Sequence, residues 1–368
     1  MKKLFLTLCL LLGLVCAGNA QTLKFNANGK FKIVQFTDVH YIYNDPRSDV
    51  SIERINEVID AEKPDLVIFT GDVIYGKPAE EGMRTVLNLV SKREIPFAVT
   101  FGNHDNEQGL TREELFKIIQ SIPHNLTTTT EGISGVTNFI LPLKSSDGSK
   151  DAEILYVFDS HSYSQIKGIG GYDYIDFDQI QWYRENSRKY TEANGGNPVP
   201  SLAFFHIALP EYNQAASDET AVLFGIRKER ACAPRLNSGL FTAMKEMGDV
   251  EGIFVGHDHD DDYAVMWHGV LLAYGRYTGG DTVYNNLPNG ARVIELTEGE
   301  KGLSLSETMT MGRFIKNYLS TCNFFLLIFQ YFSNPLQHLV DLDRFRKILN
   351  GETGILCHIK FMIFTLSL

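Results

Sequence analysis

Short apolar runs recur along the chain, and metal-binding side chains follow five of them. The runs FKIVQF, DLVIFT, PFAVTF, SLAFF and VEGIFV are rich in β-branched and aromatic residues, which is typical of buried strands. The polar blocks after them are Asp38-Val39-His40, Gly71-Asp72, Gly102-Asn103-His104-Asp105, His206 and Gly256-His257-Asp258-His259. Because open α/β sheets bind ligands at the carboxyl ends of their strands, the repetition predicts one site assembled from five strand ends.

The pattern between these runs predicts alternating strands and helices, and therefore an α/β fold. Besides the two strands that lead to His206 and Gly256, we expect strands at 31–37, 65–70, 96–101, 136–143, 154–159, 263–267, 270–274 and 291–296. We expect helices at 50–62, 80–93, 111–122, 178–190 and 238–247. Thr111 and Glu114 match a capping box at the start of the third helix. No internal boundary interrupts the pattern, so residues 21–312 are expected to form one domain.

The two ends of the chain depart from this pattern. Lys2 and Lys3, the run LFLTLCLLLGLV and the small residues up to Ala20 are typical of a cleaved secretory signal peptide, so residues 1–20 predict an exported protein. Lipid modification at Cys16 is a lesser alternative. The apolar core of this leader is too short to cross about 30 Å of hydrocarbon, so we expect no stable membrane span. Residues 313–368 are apolar without a clear period, and we interpret them as an atypical tail outside the catalytic unit.

Charge and cysteine content exclude two further classes of protein. The net charge of −11 disfavours binding along a nucleic-acid backbone, which requires clustered Lys and Arg. Cys232, Cys322 and Cys357 lie outside the leader, and their odd number and wide spacing predict no disulfide framework.

The side chains of the five blocks suit two cations better than one. Carboxylates bind Mg, Mn and iron, and imidazoles bind Zn, Fe and Mn, so Fe, Mn or Zn is expected. Two adjacent cations can activate a water molecule and polarise phosphoryl oxygens. The leaving alkoxide then needs a proton, and His104 is placed to supply it, with Asp105 as a carboxylate that orients the imidazole.

In this order the blocks resemble those of the calcineurin-like metallophosphoesterases: D-x-H, G-D, G-N-H-[D/E], a lone H and G-H-x-H. The segments FFHIALPEY, GHDHDDDY and YDYIDFDQIQWY resemble the purple-acid-phosphatase-like branch. The resemblance covers residues 31–300 and implies a sandwich of two facing mixed β-sheets flanked by helices, with the metals on loops at one edge.

The resemblance also implies roles for single residues. It implies a first metal site whose ligands are Asp38, His40 and His259. It implies a second metal site whose ligands are Asn103, His206 and His257. Asp72 would bridge the two ions, and His104 would contact the phosphate and protonate the leaving group.

Tyr75 is the one departure that bears on the metal. True purple acid phosphatases have a tyrosinate on ferric iron three residues after the bridging Asp, and they lack the His of the first block. This chain has both Tyr75 and His40 at these places. We favour His40 as the ligand and expect Tyr75 to pack nearby, which predicts a protein without the purple charge-transfer band.

Several other residues could have a purely structural role instead of a functional one. Asp38 and Asp72 could cap helices, and His206 could be a core histidine, were they not accompanied by the other blocks. We interpret Asp258 and Asp260-Asp261-Asp262 as solvated loop acids, and His161 as a loop residue more than a substrate contact. Arg276 is interpreted as a surface ion pair more than a phosphate fork. Trp182 and Tyr183 are expected to pack.

The sequence thus predicts an exported, metal-dependent phosphoesterase in which a hydroxide bridging two metal ions attacks a small phosphate ester. A phosphodiesterase acting on a nucleotide or lipid headgroup is the nearest alternative, because it would share the same metal core. A metal-binding protein without turnover is the alternative from a different class.

Overall fold

Two β-sheets organise the chain in the computed structural model, which describes residues 22–299 and the strand Ser304–Met309. The strands are β1 (Leu23–Lys24), β2 (Lys30–Phe36), β3 (Leu66–Thr70), β4 (Phe97–Thr100), β5 (Phe139–Lys144), β6 (Asp151–Val157), β7 (Ser201–Phe204), β8 (Leu223–Phe224), β9 (Val250–Val255), β10 (Ala264–Trp267), β11 (Val270–Tyr274), β12 (Gly290–Thr297) and β13 (Ser304–Met309). The eight-stranded sheet has the order β1-β5-β6-β7-β9-β11-β10-β8, and the five-stranded sheet has the order β13-β12-β2-β3-β4.

Both sheets are mixed, and the strands that precede the polar blocks are parallel to one another within each sheet. β2, β3 and β4 are parallel neighbours in the five-stranded sheet, while β12 runs antiparallel to β2. β6, β7, β9 and β11 are parallel neighbours in the eight-stranded sheet. Parallel strands end at the same edge, so the segments after β2, β3 and β4 emerge together, as do those after β7 and β9.

Helices cover the outer face of each sheet. They are α1 (Asp49–Glu62), α2 (Ala79–Ser91), α3 (Arg112–Gln120), α4 (Phe177–Ala193), α5 (Pro210–Ser217) and α6 (Leu240–Met247), with 3₁₀ turns at Pro46–Ser48 and Asp105–Gln108. The predicted capping box opens α3, since Thr111 Oγ1 accepts from the Glu114 amide and the Glu114 carboxylate accepts from the Thr111 amide.

Three apolar clusters show that the sheets face each other between two helical layers. In β2, Val34 and Phe36 pack with α1–α3, whereas Ile33 points the other way, as successive strand residues must. Ile33 shares a cluster with Leu202 and other residues of the eight-stranded sheet. The third cluster joins the outer face of that sheet to α4–α6. The expected sandwich of two mixed sheets flanked by helices is confirmed.

Most expected elements are present, with ends displaced by a few residues, but four elements were not predicted. They are β1, β8, α5 and β13. β1 and β8 have two residues each, too few for a recognisable period, and α5 has only eight. β13 pairs antiparallel with β12 and extends the five-stranded sheet beyond the strand expected to close it.

The expected signal peptide (1–20) and the whole of the tail (313–368) lie outside the described residues. Cys322 and Cys357 lie there as well. Within the described part of the chain, no helix combines the length and the apolar character that a bilayer crossing needs.

Candidate metal centre

The five polar blocks meet between the two sheets. Those after β2, β3 and β4 come from the five-stranded sheet, and those after β7 and β9 come from the eight-stranded sheet. Each of the seven predicted ligands is at least nine-tenths buried. They are Asp38, His40, Asp72, Asn103, His206, His257 and His259.

Six of these side chains form two groups of three. In each group one possible ligand atom per residue lies within 4.8 Å of the other two. The first group contains Asp38, His40 and His259, and the second contains Asp72, His206 and His257. The first group has the three ligands that the resemblance implied for the first metal, and the second group has His206 and His257 together with Asp72, the expected bridge.

Asp72 lies between the two groups. Its Oδ2 is 3.2 Å from Nε2 of His206 in the second group and 3.6 Å from Nε2 of His40 in the first. An oxygen at this position is the one expected of a carboxylate shared by two cations.

Each carboxylate has one oxygen held by the protein and one directed into the cluster. Asp38 Oδ2 accepts hydrogen bonds from Thr37 Oγ1 (2.7 Å) and the His257 amide (2.9 Å), while its buried Oδ1 accepts none from the described residues. Asp72 Oδ1 accepts from the His104 amide (2.8 Å), which leaves Oδ2 for the cluster. The backbone therefore fixes the rotamer of both carboxylates.

Backbone carbonyls orient two of the imidazoles in the same way. His206 Nδ1 lies 2.8 Å from the Thr70 carbonyl, and His259 Nδ1 lies 2.9 Å from the Tyr284 carbonyl. A carbonyl can only accept, so each Nδ1 carries a proton and each Nε2 faces the cluster. Metal-binding histidines are held in this manner, with the distal nitrogen anchored and the other available.

Buried polar atoms without hydrogen bonds indicate that the cluster fits cations. Among the described residues, Nε2 of His206, Nε2 of His257 and Oδ1 of Asn103 are buried and have no hydrogen-bond partner. A buried acceptor left unpaired costs about 1–3 kcal/mol. Several such atoms converge here beside two carboxylates, and a cation would satisfy all of them at once.

The backbone is strained where the candidate ligands lie. Asp38, His40, Asp72 and His257 have φ values of 52°, 45°, 50° and 79°, in the left-handed region that non-glycine residues rarely adopt. Such conformations cost about 1–3 kcal/mol each and gather at functional sites. Left-handed residues directly after a strand turn the side chain back over the strand end.

Close approach of the ligands explains the glycines that open the blocks. A Cβ at Gly256 would meet Thr37 Oγ1 and lie 2.6 Å from Asp38 Oδ2. A Cβ at Gly102 would meet the Asp72 carboxylate and its amide. Only glycine fits at these two positions because the first carboxylate of each site occupies the space.

The electrostatics of the centre favour added positive charge. Burial would lower the pKa of His206, but the Asp72 and Asp38 carboxylates outweigh burial and raise it to about 9. Burial would raise the pKa of Asp72, but the neighbouring His206 charge holds it well below its usual range. Burial and the neighbouring His206 charge lower the pKa of His257 to about 3. The proton on His206 thus compensates part of the negative charge of Asp38 and Asp72, which a bound cation would also neutralise.

His104 lies at the edge of the cluster, but Asp105 does not orient it as expected. The His104 ring is half-buried, 5.6 Å from the His40 ring. The Asp105 carboxylate instead accepts from the backbone amides of Asp72, Val73, Ile74 and Gly102 at 2.8–3.1 Å. The side chain that contacts His104 is Glu107, whose Oε2 is 2.6 Å from Nδ1. A residue adjacent to His104 points away because the chain enters a 3₁₀ turn at Asp105.

Tyr75 packs beside the centre. Its ring is edge-on to both His40 and His104, with centroids 5.0 Å from each. His40 Nε2 lies 3.7 Å from Asp38 Oδ1 and 3.2 Å from His259 Nε2, in the first group. The absence of a tyrosinate band stays a prediction.

The interpretation of the late aspartates as solvated was wrong. Asp258, Asp260, Asp261 and Asp262 are all buried. They accept hydrogen bonds mainly from neighbouring loops: Asp258 from the Cys232 amide and the Tyr274 hydroxyl, Asp261 from the Lys228 and Glu229 amides. They fix the loops around His257 and His259 without pointing at the cluster. The sequence suggested solvation because four acids in five residues rarely all find buried donors.

The remaining candidates take structural positions. Arg276 is buried and pairs with Asp262, so it is neither a surface ion pair nor an available phosphate fork. His161 lies in a loop, and its Nε2 is 2.8 Å from Oε1 of Gln179, in the first turn of α4. Tyr183 is buried and Trp182 packs against the same cluster, as expected.

Sequence reasoning missed Glu107, which lies against His104, and Tyr163, which bonds to Glu107. Tyr163 donates a hydrogen bond to Glu107 Oε1 (3.2 Å) and accepts one from Asn103 Nδ2 (3.4 Å). The only available signal was the spacing of Glu107, three residues after His104. Nothing in the sequence indicated Tyr163, because its loop approaches from the other sheet.

Comparison with known proteins agrees with this geometry. The sequence model of the calcineurin-like phosphoesterase family matches residues 31–261. The chain is 33% identical over 288 residues to "Probable inactive purple acid phosphatase 14" of Arabidopsis thaliana, covering 68% of this chain and 71% of that protein. It is 35% identical over 283 residues to "Phosphatase DCR2" of Saccharomyces cerevisiae, covering 67% and 47%.

Among solved structures, the chain is similar in fold to a dimetal phosphatase from Danio rerio. The TM-score is 0.55 at 12% identity, over 78% of this chain and 99% of that one. At this identity the likeness concerns the fold alone.

Proposed function

The chain belongs to the calcineurin-like phosphoesterase family, and from this premise we propose that it hydrolyses phosphate esters with the help of two metal ions. The observation that carries the proposal is the convergence of two triads of buried ligands, with Asp72 between them. Buried acceptors without partners and left-handed ligand residues support it.

The proposed ligands are the six residues of the two triads together with Asn103. The first ion would be held by Asp38, His40 and His259. The second ion would be held by Asn103, His206 and His257. Asp72 would be shared, and Fe, Mn or Zn would suit this mixture of carboxylate, amide and imidazole. When bound, the ions would supply an activated water molecule and neutralise charge on the phosphoryl oxygens.

His104 would bind the phosphate and protonate the leaving oxygen. Its ring lies at the rim of the centre, beside His40 and Tyr75, where an ester would enter. With Nδ1 held by Glu107, Nε2 is the nitrogen left to face the substrate. A positioned acid of this kind contributes about 10²–10⁴ in rate.

A metal-binding protein without turnover is the alternative that one comparison favours. The Arabidopsis relative bears "inactive" in its name, whereas the yeast relative is named a phosphatase. In this chain all seven predicted ligands and His104 are present, and six of the ligands converge, which supports turnover. The phosphodiesterase alternative shares the same centre and differs only in substrate.

The test combines metal analysis with phosphate release from the full chain. We expect about two ions per chain and release of phosphate from an aryl monoester, and rates on the matching diester would separate the two ester classes. His104→Ala should lower kcat about 10²–10⁴-fold with the metals retained. His268→Asn, an exposed histidine away from the centre, is the control. One ion per chain, or unchanged hydrolysis in His104→Ala, would contradict the proposal.

We also propose that the protein is exported. The charged, apolar and small-residue segments of residues 1–20 support this, with cleavage after Ala20. Sequencing the amino terminus of protein recovered outside the cytoplasm should give Gln21 first. Recovery of uncleaved chain in the cytoplasm alone would contradict export.

A further inference from the structure

A chain of three hydrogen bonds joins the proposed acid to a proposed ligand of the second ion. His104 Nδ1 lies 2.6 Å from Glu107 Oε2. Tyr163 donates to the other oxygen of Glu107 at 3.2 Å, and Asn103 Nδ2 donates to the Tyr163 hydroxyl at 3.4 Å. An ionised carboxylate can only accept, so His104 Nδ1 donates and its proton is fixed on that nitrogen.

The turn that carries Glu107 is built to return its side chain to His104. The Glu107 amide donates to the His104 carbonyl (3.1 Å), which closes the 3₁₀ turn Asp105–Gln108. The Asp105 carboxylate holds this turn against the Asp72 loop through backbone amides. Gly109, at φ 95°, ends it. Glu107 therefore lies on a rigid element, although its side chain is partly exposed.

Tyr163 approaches from the other sheet and is held independently. Its ring stacks on Tyr172 at 5.6 Å, and the two residues form an isolated β-bridge. The Tyr172 ring in turn meets His257 edge-on at 4.2 Å. The hydroxyl of Tyr163 is thus placed by contacts that do not involve Glu107, so it can fix the carboxylate in one rotamer.

We propose that Glu107 is a positioning residue that holds His104 with Nε2 toward the ester oxygen, and that Tyr163 holds Glu107. The inference rests on the proposed function. In the step it serves, the oxygen of a water molecule bonds to phosphorus and the ester P–O bond breaks. The doubly protonated ring of His104 gives its Nε2 proton to the leaving oxygen, and the neutral imidazole keeps its proton on Nδ1. Without Glu107 the ring can rotate or take the other tautomer, and fewer encounters are productive.

A series of leaving groups provides the kinetic test. Glu107→Ala should lower kcat about tenfold or more for an alkyl phosphate, whose leaving oxygen needs the proton. The loss should be much smaller for 4-nitrophenyl phosphate, because nitrophenolate leaves unprotonated. Glu107→Gln should restore part of the loss, since its amide oxygen can accept from Nδ1. Tyr163→Phe should give a smaller loss in the same direction.

Two controls separate positioning from a general structural effect. Glu113→Ala, at an exposed glutamate in the first turn of α3, should leave both rates unchanged. In a His104→Ala background, adding Glu107→Ala should cause no further loss. Equal losses on both substrates, or additive losses in the double variant, would overturn the proposal.

A spectroscopic measurement decides the proposal even if no ester is hydrolysed. In the zinc-loaded full chain, at a pH where the His104 ring is neutral, nitrogen NMR should show the Nδ1–H tautomer, which is the form that remains after Nε2 has given up its proton. Glu107→Ala should abolish that preference. A wild-type Nε2–H tautomer, or an unchanged tautomer in the variant, would overturn the proposal. Absence of hydrolysis with the expected tautomer would instead refute the proposed function alone.

Discussion

At the scale of single residues, the centre depends on a carboxylate that binds backbone amides and is not a proposed metal ligand. Asp105 accepts four backbone amides with its two oxygens and touches no imidazole nitrogen in the hydrogen bonds described. By doing so it ties the Gly102 segment to the segment Asp72–Ile74. The strands β3 and β4 deliver these segments, but Asp105 sets their spacing.

Asp105→Asn should therefore destabilise the fold and weaken metal binding together. The amide keeps one acceptor and turns an NH₂ group toward two backbone N–H donors, so we expect a loss of about 3 kcal/mol in the free energy of unfolding. Urea unfolding and metal analysis would measure both effects. Asp178→Asn is the matched control, because Asp178 Oδ2 accepts from the Ser134 amide away from the centre. It should lose stability and keep its metals, and retention of full metal affinity in Asp105→Asn would argue against the role assigned here.

A second residue-scale prediction concerns Glu153, on β6. Burial, followed by the charge of Glu251, raises its pKa well above the usual 4.5. As pH rises past 4.5 the unfolded carboxyl ionises first, so folding stability is lost until the pH passes the folded pKa. Glu153→Gln removes this loss, so the variant should match the wild type in free energy of unfolding near pH 4 and exceed it at pH 8. Chemical unfolding at a series of pH values would measure this difference, with the exposed Glu113→Gln as the control. A difference between Glu153→Gln and wild type that does not change with pH would contradict this prediction.

The residues also show what a sequence reveals about a site and what it leaves open. The ligands could be identified because each follows a strand, and strand ends converge in this class of fold. The partner of His104 could not be identified, because carboxylates at positions 105 and 107 both lie near it in sequence. Which of them faces the ring depends on a 3₁₀ turn. The burial of Asp260–Asp262 likewise depends on amides supplied by a distant loop.

At the scale of elements, each group of candidate ligands lies in a sharp turn directly after a strand. The strands were predictable from their β-branched and aromatic content, since burial on both faces demands it. The helix α5 was missed because it has only eight residues and follows the His206 strand and loop directly. Its main signal in the sequence was Pro210, in its first turn. β13 was missed because its place is set by pairing with β12.

The sharp turn after β9 leaves no room for a side chain at Gly256. Gly256→Ala would push its methyl group onto Thr37 Oγ1 and Asp38 Oδ2. We expect Asp38 to be displaced, the first metal to be lost and hydrolysis to fall with it.

Gly132→Ala separates this steric effect from backbone strain. Gly132 has φ 82° with no atom near the added methyl group, so its substitution costs strain alone. Metal analysis should show two ions in Gly132→Ala and fewer in Gly256→Ala. Two ions in both variants would mean that the Asp38 loop yields without effect on the centre.

At the scale of the whole molecule, the candidate centre joins the two sheets. Each triad takes ligands from both: Asp38 and His40 with His259 in the first, Asp72 with His206 and His257 in the second. The inner faces already share an apolar cluster, but the rim where the ligands meet is polar and strained. A bound cation would act there as a cross-link between the sheets and would offset the strain.

Metal should therefore stabilise the fold, and more so at higher pH. A ligand at one hundred times its Kd adds about 2.7 kcal/mol, and each kcal/mol raises the Tm of a domain of this size by about 2–4 °C. We expect chelation to lower the Tm by about 5–10 °C. In the metal-free protein the pKa of His206 is about 9, so below that pH a proton must leave before a cation binds.

The gain in Tm from added zinc or manganese should accordingly be larger at pH 8.5 than at pH 6.5. Thermal scans of the chelated and reloaded protein at both pH values would measure it. His257→Ala should lose much of the gain, because one sheet then contributes fewer ligands, whereas His268→Asn should keep it. An equal gain in His257→Ala would place the stabilising ion elsewhere. A gain that fell with rising pH would mean that no proton is displaced, and the centre would then not bind cations through His206.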